Sequence, residues 1–188
     1  WMSQGALALG ATAESSFAWL ELRGRSDDRD TVLDLDYRPT MWSSVHEARA
    51  AAQRAIAQSS VVVGNRTECE MAVGLDEPDA IVDDLLERGV RLAIVKLGGG
   101  GVLVADNSDR VRIDPLDIDV LCGLGAGDAF GGALVHGLLS GWDLERIGRF
   151  ANGAGAYVAT QLTCADAMPT TTMVDEVVEH GGTRGLQE

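Results

Sequence analysis

Basic residues are scarce in this chain. Fifteen Lys and Arg stand against twenty-nine Asp and Glu, a net charge of −14, which speaks against a nucleic-acid backbone or an anionic membrane as the main partner. Any anionic ligand must therefore be held locally. Cysteine is scarcer still: Cys69, Cys122 and Cys164 are odd in number, widely spaced and free of any CxxC pattern, so neither a disulfide framework nor a zinc site is indicated. A reducing cytoplasm is the simplest home for such a chain. Long apolar runs are missing too, since the best candidate, 133–139, is interrupted by His136 and Gly137 and falls far short of the ~20 residues that span a bilayer. No basic segment followed by an apolar core opens the chain, so export has no support, and the opening Trp1-Met2 reads as the interior of something longer.

What is present suits one globular domain over residues 1–188. A hydrophobic share of 46% beside 23% charged residues is ordinary for a chain that buries a core of its own. Strand and helix signals alternate. The run 31–36 alternates apolar and acidic residues, 44–58 carries Val45, Ala48, Ala52 and Ile56 on one helical face, 60–64 reads as a buried strand, 79–88 as a helix closed by Gly89, and 91–97 as a second buried strand. Gly98 to Gly101 form a four-glycine turn into a hairpin partner at 102–105, with short strand signals at 111–113 and 118–121. Helical patterns follow at 126–139, 144–161 and 173–179, and the tail 181–188 is expected to fray. This alternation predicts an α/β fold with a largely parallel sheet covered by helices.

The turn Gly123-Leu124-Gly125-Ala126-Gly127, placed between a predicted strand and a helix, aims backbone N–H groups and the positive end of a helix dipole at one spot. That is an anion site, with Gly125, Ala126 and Gly127 as amide donors. A carboxylate beside a polyphosphate is repulsive, so Asp128 makes sense facing a hydroxyl, whose proton it can accept as the oxygen attacks phosphorus. The plain alternative is a tight turn in which Asp128 caps the helix. A dinucleotide fingerprint would need Gly where Asp128 stands, and a P-loop would need Gly-Lys-Ser/Thr, which is absent.

The segment Gly125-Ala126-Gly127-Asp128-Ala129-Phe130 followed by Gly131-Gly132-Ala133-Leu134 resembles the second signature of the ribokinase-like, or PfkB-type, carbohydrate kinases. Asn65-Arg66-Thr67-Glu68 is similar to the family's NxxE, Lys96-Leu97-Gly98 with Gly101 to its nucleotide-bordering turn, and Phe150-Ala151-Asn152 to the helix that closes over adenine. Within the family, Asp34 to Trp42, Asn65 to Gly74, Gly123 to Trp142 and Cys164 to Thr170 are most similar to the kinases that phosphorylate 5-dehydro-2-deoxygluconate in inositol catabolism. The resemblance implies a ribokinase-like fold lacking its N-terminal part and lid. It also implies transfer of the γ-phosphoryl group of ATP to the C6 hydroxyl of that sugar acid.

The resemblance gives Asp128 the role of base and Asn65, Glu68, Lys96, Gly98, Gly101 and Asn152 contact with nucleotide. Asn65 and Glu68 would hold magnesium mostly through water, against the alternative of a helix-start pair. Arg38, and Asp36 beside it, would meet the substrate; the alternative for Arg38 is a salt bridge to Asp34 or Asp36, and those two carboxylates are expected to divide between opposite faces. His136 reads as a packed or rim residue, and Trp19, Trp42 and Trp142 as core or boundary aromatics. Cys122 and Gly123 stand where many relatives have Asp-Thr, which puts a monovalent cation in doubt, and Gly99 replaces a frequent proline. Rival readings are a 2-dehydro-3-deoxygluconokinase or another sugar kinase of the fold, and a non-catalytic nucleotide- or sugar-binding module. The oligomeric state is left open, a homo-oligomer included.

Overall fold

The computed structural model describes residues 1–23 and 30–183. It divides into two compact units, one of Trp1–Leu97 with Leu103–Arg110, the other of Gly98–Val102 with the chain from Val111 on. Strands β1 (Met2–Ser3), β2 (Val32–Asp34), β3 (Val61–Asn65), β4 (Leu92–Lys96), β5 (Val102–Asp106) and β6 (Arg110–Ile113) pair in that order. The first four are parallel. Connections of five residues before β5 and three before β6 are too short for a parallel crossover, so the sheet is mixed.

In the first unit each parallel connection is helical, through α1 (Gly10–Arg23), α2 (Val45–Ile56), and then α3 (Arg66–Val73) with α4 (Pro78–Glu87). Helices α2, α3 and α4 start where the sequence supplies a cap or a proline. Ser44 accepts from Glu47 N at the head of α2, and Pro78 opens α4, where its missing N–H costs nothing. The apolar faces meet over the sheet. Leu33, Val62, Ala93 and Leu103 from the strands pack with Leu20, Ala52, Ile56, Ile81 and Leu85 from the helices, and every one of these is fully buried.

The second unit is built on α5 (Ala126–Leu139), α6 (Leu144–Ala159) and α7 (Thr171–Glu179). His136, Trp142 and Phe150 form a ring cluster with centroids 5.1 to 5.8 Å apart, Trp142 edge-to-face with both others and His136 tilted against Phe150; His136 itself stays exposed, which makes it a rim residue, one of the two readings its position suggested. Two expectations are corrected here. Residues 118–121 form no strand: Leu121 and Cys122 both donate their N–H to the Ala159 carbonyl, and Leu121 stays 62% exposed. The alternation there belongs to an extended segment without a ladder. Nor do Gly181 to Thr183 fray, because Asp117 N donates to Gly181 O at 2.9 Å and Gly182 bridges Asp117; the rest of that tail lies outside the described residues.

Since Leu33 is fully buried in a strand paired on both sides, Leu33→Ala should destabilise the first unit by about 2–5 kcal/mol. Urea unfolding followed by far-UV circular dichroism measures it. A loss under 1 kcal/mol would mean that β2 does not sit at the centre of this core.

Candidate active site

Parallel register brings the polar residues of the first unit to one edge. Asp34 ends β2, Asn65 ends β3 and Lys96 ends β4, and Asn65 lies directly opposite Lys96 in the ladder. The carboxyl ends of adjacent parallel strands are where open α/β sheets gather ligands. Asn65 and Glu68 form a reciprocal capping box at the head of α3: Glu68 N donates to Asn65 Oδ1 at 2.9 Å, and Asn65 N donates to Glu68 Oε2 at 2.7 Å. The plain reading of this pair as a helix start is therefore realised. The box fixes both side chains while leaving Oε1 of Glu68 and Nδ2 of Asn65 outside it.

Asp34 is the buried group of this edge, 6% exposed. Burial, the largest cause, pushes its carboxyl up from 3.8 to about 6; Lys96 opposes the shift, Glu68 adds to it, the Asp36 N–H bond opposes it, and the Asp36 charge adds. Asp34 and Asp36 do not divide between opposite faces. Residues two apart in an extended segment point the same way, and Asp36 N donates to Asp34 Oδ1 at 3.3 Å just beyond the end of β2. Asp36 in turn accepts from Arg38 Nε at 2.8 Å and from Ser3 Oγ at 3.2 Å. Arg38 thus has the salt bridge weighed as its alternative, with its side chain still 58% exposed. Ser3 had no signal in the sequence, since a serine in a two-residue strand carries no pattern. Cys69, buried beneath this edge, has its thiol pushed up to about 12, mainly by burial and then by Glu68, and is no nucleophile.

In the second unit the glycine turn is formed as its composition required. Gly125 is the N-cap of α5 at φ +83°, a conformation costly for any residue with a Cβ. A Cβ there would also lie 2.6 Å from the Cβ of Cys164, a contact invisible in sequence because 39 positions separate the two. No side chain caps α5, so Asp128, its third residue, is not the capping group of the plain reading. Its side chain is exposed. The first amides of a helix lack intrahelical acceptors, and of those at this turn Ala126 N donates to Gly123 O at 3.3 Å. Gly127 and Asp128 N–H extend the same positive end toward solvent.

Gly98 and Gly101 close a turn through Gly101 N to Gly98 O at 3.0 Å. Gly101, at φ +82°, would place a Cβ 1.9 Å from the Ile113 carbonyl oxygen. That glycine is fixed by packing whatever it binds. Asn152 on α6 donates to the Asp114 carbonyl at 3.3 Å and lines a cavity of about 250 Å³ with Arg112, Ile113, Asp114 and Arg149. Among the described residues no three His, Cys, Asp or Glu side chains converge as a metal cage.

A carboxyl whose folded pKa lies above its unfolded value contributes stability below the unfolded value and loses it as pH rises through the folded one. For Asp34 that window is pH 4 to 6, and the swing is on the order of 3 kcal/mol. Urea unfolding at pH 4, 5, 6 and 7 should show the Asp34→Asn variant gaining on the wild type as pH rises across the window. Parallel curves would show that Asp34 does not titrate there.

Residues 7–171 match the pfkB family carbohydrate kinase. The chain is 27% identical to a 5-dehydro-2-deoxygluconokinase from Clostridium tetani, over 96% of this chain and 56% of that protein. It is 29% identical to one from Photobacterium profundum, over 93% and 54%. Among solved structures it superposes on a fructokinase from Vibrio cholerae with a TM-score of 0.80, covering 93% of this chain and 58% of that one. An aminoimidazole riboside kinase from Salmonella enterica also gives 0.80, with 93% and 60% covered; both are 24% identical. The chain spans a little over half the length of the curated relatives it matches. With a ribokinase-like α/β fold, strand ends carrying Asn65 and Lys96, and a glycine-capped helix carrying Asp128, the chain belongs to the pfkB family of carbohydrate kinases.

Proposed function

We propose that this chain is the nucleotide- and base-bearing part of an ATP-dependent kinase acting on 5-dehydro-2-deoxy-D-gluconate, with the C6 hydroxyl as acceptor. The observation that carries the reading is Asp128, exposed at the third position of a helix whose cap is Gly125 in the left-handed region. A carboxylate there faces solvent beside main-chain N–H groups, so one short segment offers a proton acceptor and an oxyanion cradle. The acceptor oxygen forms a bond to the γ-phosphorus, the bond from that phosphorus to the β–γ bridging oxygen breaks, and the hydroxyl proton passes to Asp128. Amides at 125–127 stabilise charge on the transferring group, with Ala126 supporting the turn through Gly123.

The remaining roles follow the chemistry of each group. Asn65, Glu68 and Lys96 serve the phosphates, and Gly98, Gly101 and Asn152 border the nucleotide. The donor set at Asn65 and Glu68, with polar atoms left outside the capping box, fits a magnesium ion that keeps its own water rather than one held in an all-protein cage. That ion, when bound, neutralises charge on the phosphoryl oxygens. Arg38 is suited to a sugar carboxylate or a phosphoryl group, because the guanidinium that donates one bond to Asp36 can meet either with two parallel bonds. The named relatives support the sugar acid. A 2-dehydro-3-deoxygluconokinase would use the same groups, and parallel assays with the two acids separate the readings.

The acceptor pocket is proposed to need polypeptide beyond this chain, so the chain alone should release little ADP. In a polypeptide carrying it at the length of its relatives, Asp128→Asn should cut ADP release with 5-dehydro-2-deoxygluconate by about 10² to 10⁴. ATP affinity by titration calorimetry should change less than threefold. Unaltered turnover removes Asp128 from the role of base, and a matching loss of ATP affinity assigns it to binding instead.

A further inference from the structure

Both oxygens of the Asp36 carboxylate are held. Oδ1 accepts from Arg38 Nε at 2.8 Å and Oδ2 from Ser3 Oγ at 3.2 Å. Ser3 ends β1 directly opposite Asp34 in the parallel ladder. Residues level with one another in a ladder share a face of the sheet, and so do residues two apart in one extended segment. Pairing register alone therefore sets Ser3 beside Asp36. A second contact ties the same two segments together, because a Cβ on Gly5 would lie 3.8 Å from Met41 Cε.

The Ser3 hydroxyl has one proton and two lone pairs. Its oxygen accepts from Gly5 N at 3.3 Å and so caps the one-turn helix Gln4–Leu7. That cap needs only the oxygen. An ionised carboxylate can only accept, so the proton of Ser3 goes to Asp36. An exposed ion pair joined by one bond holds its geometry weakly, since both side chains keep rotamer freedom, and here the Arg38 side chain is 58% exposed. A second donor on Oδ2 stops the carboxylate from turning, and the carboxylate in turn fixes the guanidinium. Arg38 engages Asp36 through Nε, and among the described residues neither of its Nη groups has a partner. The Nη edge of a guanidinium is one that meets a carboxylate or phosphate with two parallel bonds.

We infer that Ser3 is a positioning residue for the acceptor: its hydroxyl locks the Asp36 carboxylate, the carboxylate aligns Arg38, and the Nη edge of Arg38 is held ready for the anionic group of the ligand. The last step rests on the sugar-acid reading proposed above, whereas the chain from Ser3 to Arg38 rests on the contacts alone. Fixing a binding group before the ligand arrives lowers the entropy lost on association. Ser3 thus acts on affinity for the acceptor and not on the proton transfer assigned to Asp128.

Two measurements test this. In the chain itself, solvent exchange of the Arg38 Nε–H followed by heteronuclear NMR should quicken about threefold or more in Ser3→Ala and Ser3→Asp and stay near the wild-type rate in Ser3→Thr. Ser3→Asp keeps an oxygen that can cap Gly5 but has no proton for Asp36, so it separates positioning from capping even where Ser3→Ala unfolds. Wild-type exchange in Ser3→Asp overturns the inference. In a polypeptide carrying this chain at the length of its relatives, Ser3→Ala should raise KM for 5-dehydro-2-deoxygluconate about fivefold, with kcat and KM for ATP changed less than about twofold and Ser3→Thr restoring the wild-type value. Added to Arg38→Gln, Ser3→Ala should raise KM no further, because the two act as one unit. An unchanged KM in Ser3→Ala, or a further rise on top of Arg38→Gln, also overturns it. Absence of turnover with that acid in the wild type counts against the proposed function alone, and the exchange rates then decide for Ser3.

Discussion

Register in the parallel ladder governs the polar edge of the first unit. Because Val63 pairs with Asp34 on one side and Ile94 on the other, while Asn65 pairs with Lys96, three strands reach the same edge at nearly the same level. A slip of one residue would turn Asn65 and Lys96 to the other face and bury charge in the apolar layer. The fully buried residues at 61, 62, 92–95 and 33 oppose that slip, since each would exchange an apolar neighbour for a polar one. Core packing thus sets the position of groups that contribute nothing to the core.

Structural and chemical roles coincide in the same residues more often than they compete. The Asn65–Glu68 capping box satisfies two N–H groups at the head of α3 and, by doing so, holds a carboxylate and an amide at the mouth of the sheet. A free glutamate in the first turn of a helix would lose rotamer freedom on meeting a ligand. One already pinned by its own backbone bond loses little. Gly125 works in the same way: the left-handed conformation that starts α5 also lets Cys164 pack against the turn, so the geometry offering its amides is supported from below.

Much of this was legible in sequence where one pattern dominated. Residues 126–139 were read as a helix with the bounds the structure has, because the glycine turn marks its start and Ser140-Gly141 its end. The strands at 61–65 and 92–96 declared themselves as apolar runs between a helix and a polar stop. Helix α1 escaped notice for a physical reason, since only Ser16 and Leu20 of it are buried, too sparse a stripe to show a period of 3.6, and a two-residue strand before it gives no period at all. The segment 118–121 misled in the opposite sense: its side chains alternate like a strand, yet Leu121 N donates to the Ala159 carbonyl at the end of a helix and not to a strand. Asp34 was legible as acidic but not as buried, because burial is set by tertiary packing, and the charges that act on it, Lys96 and Glu68, lie 62 and 34 positions away.

The chain carries a net charge of −14 and yet is read as holding a polyanion, and the balance of local groups resolves the tension. Lys96 is the cation of the strand edge, but Asp34, Glu68 and Asp36 surround the same neighbourhood, and above pH 6 the ionised Asp34 cancels part of its field. Arg38 is shared with Asp36. Main-chain N–H groups at the head of α5 do not titrate in this range, so the field of the helix end itself is independent of pH, while the exposed Asp128 in the same first turn adds a negative charge beside it. In an acidic chain, backbone dipoles keep a field that does not depend on ionisation, whereas the field of a side chain such as Lys96 changes with the protonation of its acidic neighbours.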